Sequence, residues 1–274
     1  MVKKEKINKV IINIILFVVS LTILIPLWMM FVNSFKTPGE ALALGLGLPE
    51  KWMFDNYYNV FVEGRLFRGL LNSCLITFCS VMITLFIGSM ASFIIARRKT
   101  KLTMGVKAII VAGMVAPPQM VTTVKVLQFL NLHGTYLGVI LFYSGLFLPF
   151  VVFLMSEFAE TLPVELDESA MMDGASPFIM FTKIIMPLLK PIYVTTFVLV
   201  FMFVWNDFNY PLYLFKETST WTIPMSVYNF TSAYGNKWNY VFADLIMASA
   251  PVIIVYIFAQ KHIIRGLTSG AVKG

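Results

Sequence analysis

Residues 165–187 read ELDESAMMDGASPFIMFTKIIMP. The stretch is acidic first, broken by Gly174 in the middle and apolar at its end. Pro163 and the acids Glu165, Asp167 and Glu168 suit the first turn of a helix, where proline loses no hydrogen bond and negative charge meets the positive end of the helix dipole. Ala170, Met171 and Met172 continue that helix, and Gly174 is the residue expected where it stops with positive φ. Ser176 followed by Pro177 predicts the start of a second helix. Its Phe178, Ile179, Phe181, Ile184, Ile185 and Met186 are apolar enough to lie at a membrane interface or under a helix bundle. Pro187 and Pro191 mark the entry into the apolar segment that follows.

The surroundings of this stretch are far greasier. The 274-residue chain is 58% hydrophobic and only 13% charged, with a mean hydropathy of +0.81; soluble domains carry about 25% charged residues. Such a composition excludes an ordinary water-soluble domain. A charge-free run of 26 residues lies between Lys9 and Lys36, and one of 28 between Arg68 and Arg97. Each exceeds the roughly 20 residues that cross a bilayer core, and the first is too long for a signal peptide. A third span is predicted from about Met104 to Gln128, a fourth over Thr135–Phe158, a fifth over Pro191–Tyr210 and a sixth over Val241–Gln260. The expected fold is therefore all-α and polytopic, with six transmembrane helices. Pro117, Pro118 and Pro251 are either hinges or the proline that membrane helices ordinarily tolerate.

Orientation follows from the basic residues. With the N-terminus inside, the inner segments hold 14 of the 21 Lys and Arg, a bias that puts both termini in the cytoplasm. The same bias accounts for the net charge of +7 without invoking nucleic acid. Residues 1–9 then form a cytoplasmic N-terminus, 10–263 the transmembrane domain and 264–274 a cytoplasmic tail. Loop 159–190, which contains the opening stretch, faces the cytoplasm, and loop 208–240 faces outward. Cys74 and Cys79 fit no metal or CxxC spacing and are read as small packing residues. His133 and His262 stand far apart, so no metal site is expected. Gly134 and Gly138 match GxxxG, a weak sign of helix pairing.

On pattern alone, loop 159–190 is either a hairpin that merely connects two spans or an element presented to a cytosolic partner. Its spacing adds a resemblance. Glu168-Ser169-Ala170, three residues, Gly174, nine residues and Ile184-Ile185-Met186-Pro187 resemble the EAA motif of ABC importer membrane subunits, written EAA, three residues, G, nine residues, I-x-L-P. Ser169 in place of alanine and Met186 in place of leucine are the departures. The C-terminal QKHIIRGLTSGAVKG, the stretch VNSFKTPGE (Val32–Glu40), the pair Asn72-Ser73 and Trp205-Asn206-Asp207 resemble carbohydrate importer permeases of the maltose-transporter type, in particular their second membrane subunit.

The resemblance implies a type I ABC importer permease fold in a bacterial or archaeal cell membrane. The implied partners are a homologous second permease, two ATP-binding subunits, an extracellular solute-binding protein, a sugar and membrane lipid. It makes loop 159–190 the coupling loop, with Glu168, Ser169, Ala170, Met171, Asp173, Gly174 and Pro187 as residues of ATPase coupling. The tail Gly270, Ala271, Val272, Lys273 and Gly274 either reaches between the ATPase subunits or is a frayed end. In the outer segment, Trp205, Asn206, Asn209, Tyr210, Trp221, Tyr234 and Trp238 are candidates for contact with sugar or binding protein, or belong to an aromatic interface belt.

The sequence has no GxxxxGK[ST] phosphate loop and no catalytic constellation, so ATP and magnesium are assigned to the partner ATPase and the chain is not read as an enzyme. Two alternatives are an ABC importer of a non-sugar solute and an ion-driven secondary transporter. The latter predicts inverted repeats and buried mid-span carboxylates, which the sequence does not display.

Overall fold

The computed structural model describes residues 2–115, 118–231 and 237–271, with side chains described for these except 2–8, 10 and 261–271. Pro117, Tyr234, Val272, Lys273 and Gly274, all singled out from the sequence, lie outside the described residues. The chain divides into two compact units, residues 1–68 with 226–250, and residues 69–225 with 251–274.

In the first unit α1 (Val2–Ser34) runs unbroken through Pro26. It is apolar all round, and none of its most apolar window is buried within the chain, so its surface is left to lipid or to another polypeptide. At its end the VNSFKTPGE stretch becomes a tied loop. Thr37 and Glu40 form a capping box at α2 (Pro38–Ala41). The amides of Thr37 and Glu50 donate to the Glu40 carboxylate and hold its pKa below the usual value. Phe35 sits among Phe31, Trp52, Phe54 and Tyr57, with ring centroids 5.0–5.3 Å away. From α3 (Asp55–Glu63), buried Asn56 donates to the carbonyls of Ser34 and Lys36 and accepts from Asn239.

The second unit carries the main apolar core. It is built from Ile76, Val81 and Leu85 of α4 (Leu66–Arg97), Val139, Tyr143, Val151 and Met155 of α7 (Tyr136–Ala159), and Ile192, Val200 and Val204 of α11 (Lys190–Asn206). Cys79 is half-buried, but Cys74 lies on the exposed side of α4, so it is not the packing residue expected. The Gly134/Gly138 pair serves a turn rather than helix pairing. Gly134 has φ +83°, and a Cβ on Gly138 would lie 2.2 Å from the Leu132 carbonyl oxygen.

Among the described residues four helices are long and apolar enough to span a membrane: Ile11–Ser34 within α1, α4, α7, and Trp238–Gln260 within α13 (Trp238–Ala271). Where the fifth span was expected lies α11, 17 residues long, set at 76° to the preceding Pro177–Leu188 segment; the bent pair is either a broken span or a re-entrant loop, which makes four to five candidate spans. The third expected span is instead two short helices, α5 (Lys101–Ala112) and α6 (Met120–Phe129). Prolines 117 and 118 sit between them, where proline removes a backbone donor and disfavours helical geometry in the residue before it. Six continuous spans are thus not what the described residues show. By contrast α7 and α13 continue through Pro149 and Pro251. The α13 helix also runs to Ala271, so Gly270 and Ala271 belong to a helix end and not to a loose tail.

The Asn72-Ser73 pair fastens part of the outer segment to α4. The Asn72 amide donates to the carbonyls of Ser219 (3.1 Å) and Trp221 (2.8 Å) and accepts from the Tyr136 hydroxyl (2.8 Å). The Ser73 hydroxyl accepts from the Ile223 amide at 2.9 Å. Asn72→Ala removes three bonds worth roughly 1 kcal/mol each. It should therefore quicken trypsin cleavage after the exposed Lys216 several-fold in detergent; unchanged cleavage would show that Asn72 does not hold this segment.

Candidate coupling site

The opening stretch folds as α8 (Glu165–Met172), α9 (Pro177–Met180), a π-helical turn (Phe181–Ile185) and α10 (Met186–Leu188). Helix α8 stops in a Schellman motif: the Ala175 amide donates to the Ala170 carbonyl and the Gly174 amide to that of Met171, both at 3.0 Å. Gly174 supplies the φ of +78° this needs. Nothing lies within 4 Å of a Cβ built there. A side chain at this position would thus strain the backbone without striking a neighbour. Ser176 then caps α9 by accepting from the Ile179 amide, with Pro177 in the first turn.

What fixes α8 in place is Arg97, the last residue of α4. Its Nε donates to Asp167 Oδ2 at 2.5 Å and its Nη2 to Oδ1 at 3.4 Å. Its Nη1 donates to the carbonyls of Ala159 (3.2 Å) and Leu162 (3.0 Å), and Nη2 to that of Pro163 (3.5 Å). One guanidinium therefore ties the last carbonyl of α7 and the connecting turn to the first turn of α8. Arginine's rigid five-donor fork suits this task. Nearby, Lys107 of α5 pairs with Glu157 (2.9 Å) and Glu160 (3.2 Å) at the same end of α7.

Burial divides the residues proposed for coupling into two faces. Asp167 and Ala170 are buried, and Ala170 joins the core with Met180, Ile185 and Leu189. Ala170 was expected on the partner-facing side; it is instead the small residue that lets α8 lie against its own bundle. Glu168, Ser169, Asp173 and Gly174 are exposed. Met171 is 58% and Met172 89% exposed, and Phe178 beyond the turn 61%. Methionine presented this way adapts to an irregular groove. Pro187 is exposed within α10, and the change of direction falls after it, at Leu189.

The outward candidates separate differently. Asn206 and Tyr210 line one cavity of about 520 Å³, together with Tyr143 and Phe147 of α7 and Met202, Phe203 and Asp207. Trp205 is buried in the core, stacked on Phe201 at 5.4 Å. The Asn209 amide donates to Asp207 Oδ1, the Trp221 carbonyl accepts from Asn72, and Trp238 packs on Phe242 in the other unit. Sequence reasoning missed Arg97, Asp167 and Tyr143 as site residues. Only the position of Arg97 at the end of a charge-free run hinted at its use.

Asp167→Ala would leave the guanidinium without its buried partner, a loss of about 3 kcal/mol. Amide hydrogen exchange across residues 165–174 should quicken more than tenfold, whereas Glu168→Ala on the exposed face should leave it unchanged. Equal effects of the two changes would contradict this division of faces.

Comparison with known proteins gives the family and the fold. Residues 84–269 match the family of binding-protein-dependent transport system inner membrane components. A probable starch degradation products transport system permease protein of Thermoanaerobacterium thermosulfurigenes is 33% identical over 99% of both chains. A multiple sugar-binding transport system permease protein of Streptococcus mutans is 33% identical over 100% of both. A solved bacterial ABC transporter involved in the import of the acidic polysaccharide alginate superposes with a TM-score of 0.83 at 22% identity, covering 94% of this chain and 97% of that one. Another, in complex with an alginate pentasaccharide-bound periplasmic protein, covers 75% and 81% with a TM-score of 0.58. The chain has an ABC importer permease fold and belongs to the family of binding-protein-dependent transport system inner membrane components.

Proposed function

We propose that this chain is one of two different membrane subunits of an ATP-driven sugar importer, taking up a di- or oligosaccharide delivered by an extracellular binding protein. The relatives named for starch products and for multiple sugars support the substrate class. In this reading α8 docks in a cleft of a partner ATPase subunit, which binds the ATP and magnesium. Met171 and Met172 fill the cleft, Glu168 and Asp173 meet basic groups at its edge, and the Gly174 stop keeps the helix short. Closure of the ATPase pair then pulls α8, and Arg97 passes the pull to α4 and α7. The helical end at Gly270 and Ala271, with Val272, Lys273 and Gly274, is a second contact with the ATPase subunits. Both termini are cytoplasmic.

The observation that carries the proposal is the pairing of exposed apolar tips with a buried, ion-paired base on a helix of eight residues. A merely connecting hairpin has no use for an 89% exposed methionine on a rigid mount. The test is reconstitution with the partner permease, the ATPase and the binding protein. Oligosaccharide-loaded binding protein should stimulate ATP hydrolysis, and Met172→Asp should cut that stimulation at least tenfold while membrane insertion persists. Full stimulation in the variant would refute docking through α8; no stimulation by any sugar in the wild type would refute the substrate class.

A further inference from the structure

The 520 Å³ cavity beside the end of α11 has features that the coupling loop does not explain. Helix α11 ends at Asn206, Asp207 is extended with ψ 126°, and α12 (Asn209–Leu214) starts two residues later. Irregular backbone at the end of so apolar a helix persists where protein buries it or where it lines a watery cavity. The cavity volume falls in the range of about 300–1,000 Å³ found for small-molecule sites.

Its chemistry is mixed in a specific way. One wall is aromatic: the Phe147 and Phe203 rings stack with centroids 5.7 Å apart and 28° between planes, and Tyr143 stacks on Phe147 at 6.4 Å. Phe203 leaves 60% of its surface uncovered. The rim is polar. Tyr143 donates its hydroxyl to Asp207 Oδ2 at 2.7 Å, and Asn206 gives its Nδ2 to the Met202 carbonyl at 2.9 Å. Among the described residues no Lys, Arg or His approaches Asp207 within 4.0 Å, so no basic side chain offsets its carboxylate, which brings acceptor lone pairs to a cavity wall. An aromatic face suits the C–H face of a sugar ring, and a carboxylate accepts from hydroxyls around its edge. The same charge disfavours an anionic ring by at least about tenfold.

We propose that this cavity holds one uncharged sugar ring of the transported oligosaccharide, so that this subunit contacts substrate itself and selects neutral over acidic sugars at Asp207. The proposal rests on the sugar-importer reading above.

Met202→Cys, in a chain whose Cys74 and Cys79 are replaced by serine, places a thiol on the cavity wall. The assembled importer in proteoliposomes is first screened for uptake of maltotriose, raffinose and arabinotriose, and the cysteine is then labelled with a charged methanethiosulfonate. The transported sugar, at about four times its dissociation constant, should slow labelling about fivefold, and trigalacturonate should not. Adding Phe203→Ala should abolish the protection, and adding Asp207→Asn should let trigalacturonate protect. Uptake of a neutral sugar without protection, as when lipid or the partner permease fills the cavity, would overturn the subsite and leave the importer reading intact. Protection by trigalacturonate with Asp207 present would overturn the selectivity. If no sugar is taken up, the importer reading fails and the subsite with it.

Discussion

The Arg97 guanidinium is the constraint on which the coupling-loop end of this chain depends. Between α7 and α8 the chain turns within a few residues, and its carbonyls need donors that fix one geometry. Arg97 meets the carbonyls of Ala159, the last residue of α7, and of Leu162 and Pro163 beyond it, together with one buried carboxylate of α8. Removing either charge would strand the other where solvation is poor, which costs far more than an exposed ion pair returns. The contact therefore holds α4, the end of α7 and the start of α8 in one geometry. A force applied to the exposed face of α8 then has no soft joint at its base to absorb it.

Most of the span pattern could be read from the sequence because charge-free runs of 26 and 28 residues leave little choice but to cross a bilayer. Continuity could not be read the same way. Average hydropathy over Met104–Gln128 counts apolar side chains, whereas the backbone responds to Pro117-Pro118, and two short helices result. The coupling loop shows a finer version of this limit. Asp167 and Ala170 are three apart and share one face of α8, while Glu168, Met171 and Met172 occupy another; a helical period applied to ELDESAMM separates them. Treating Glu168, Ser169 and Ala170 as one motif obscured that division. The Arg97–Asp167 pair had no local signature at all, since 70 residues separate its members.

With only 13% of residues charged, the loops at the helix ends rely more on short amides and hydroxyls than on ion pairs such as Glu63–Lys237. Asn33, Asn56, Asn72 and Ser73 each bond to backbone groups of a loop, which satisfies peptide units that lipid could not. Buried Lys36 follows the same rule, donating to the Gly45 carbonyl at 2.9 Å. All but Asn56 drew notice in the sequence as family-like motifs. Their physical role is to close loops at the ends of apolar helices, which explains why amides stand where a soluble protein would accept many polar types.

Helix α11 joins the two ends of this molecule's chemistry. Its 17 residues make a rod about 25 Å long, and helical continuity is broken at both ends, by the 76° bend at Leu189 and by extended Asp207. A rod released in this way can tilt through dihedral changes at a few residues, with its own hydrogen bonds intact. Its lower end continues from the segment that carries the exposed methionines and Phe178. Its upper end presents Met202, Phe203 and Asn206 to the aromatic cavity. In the coupling proposed above, displacement of loop 159–190 would reach the cavity wall along this one helix, with the two irregular joints at its ends as the points that give.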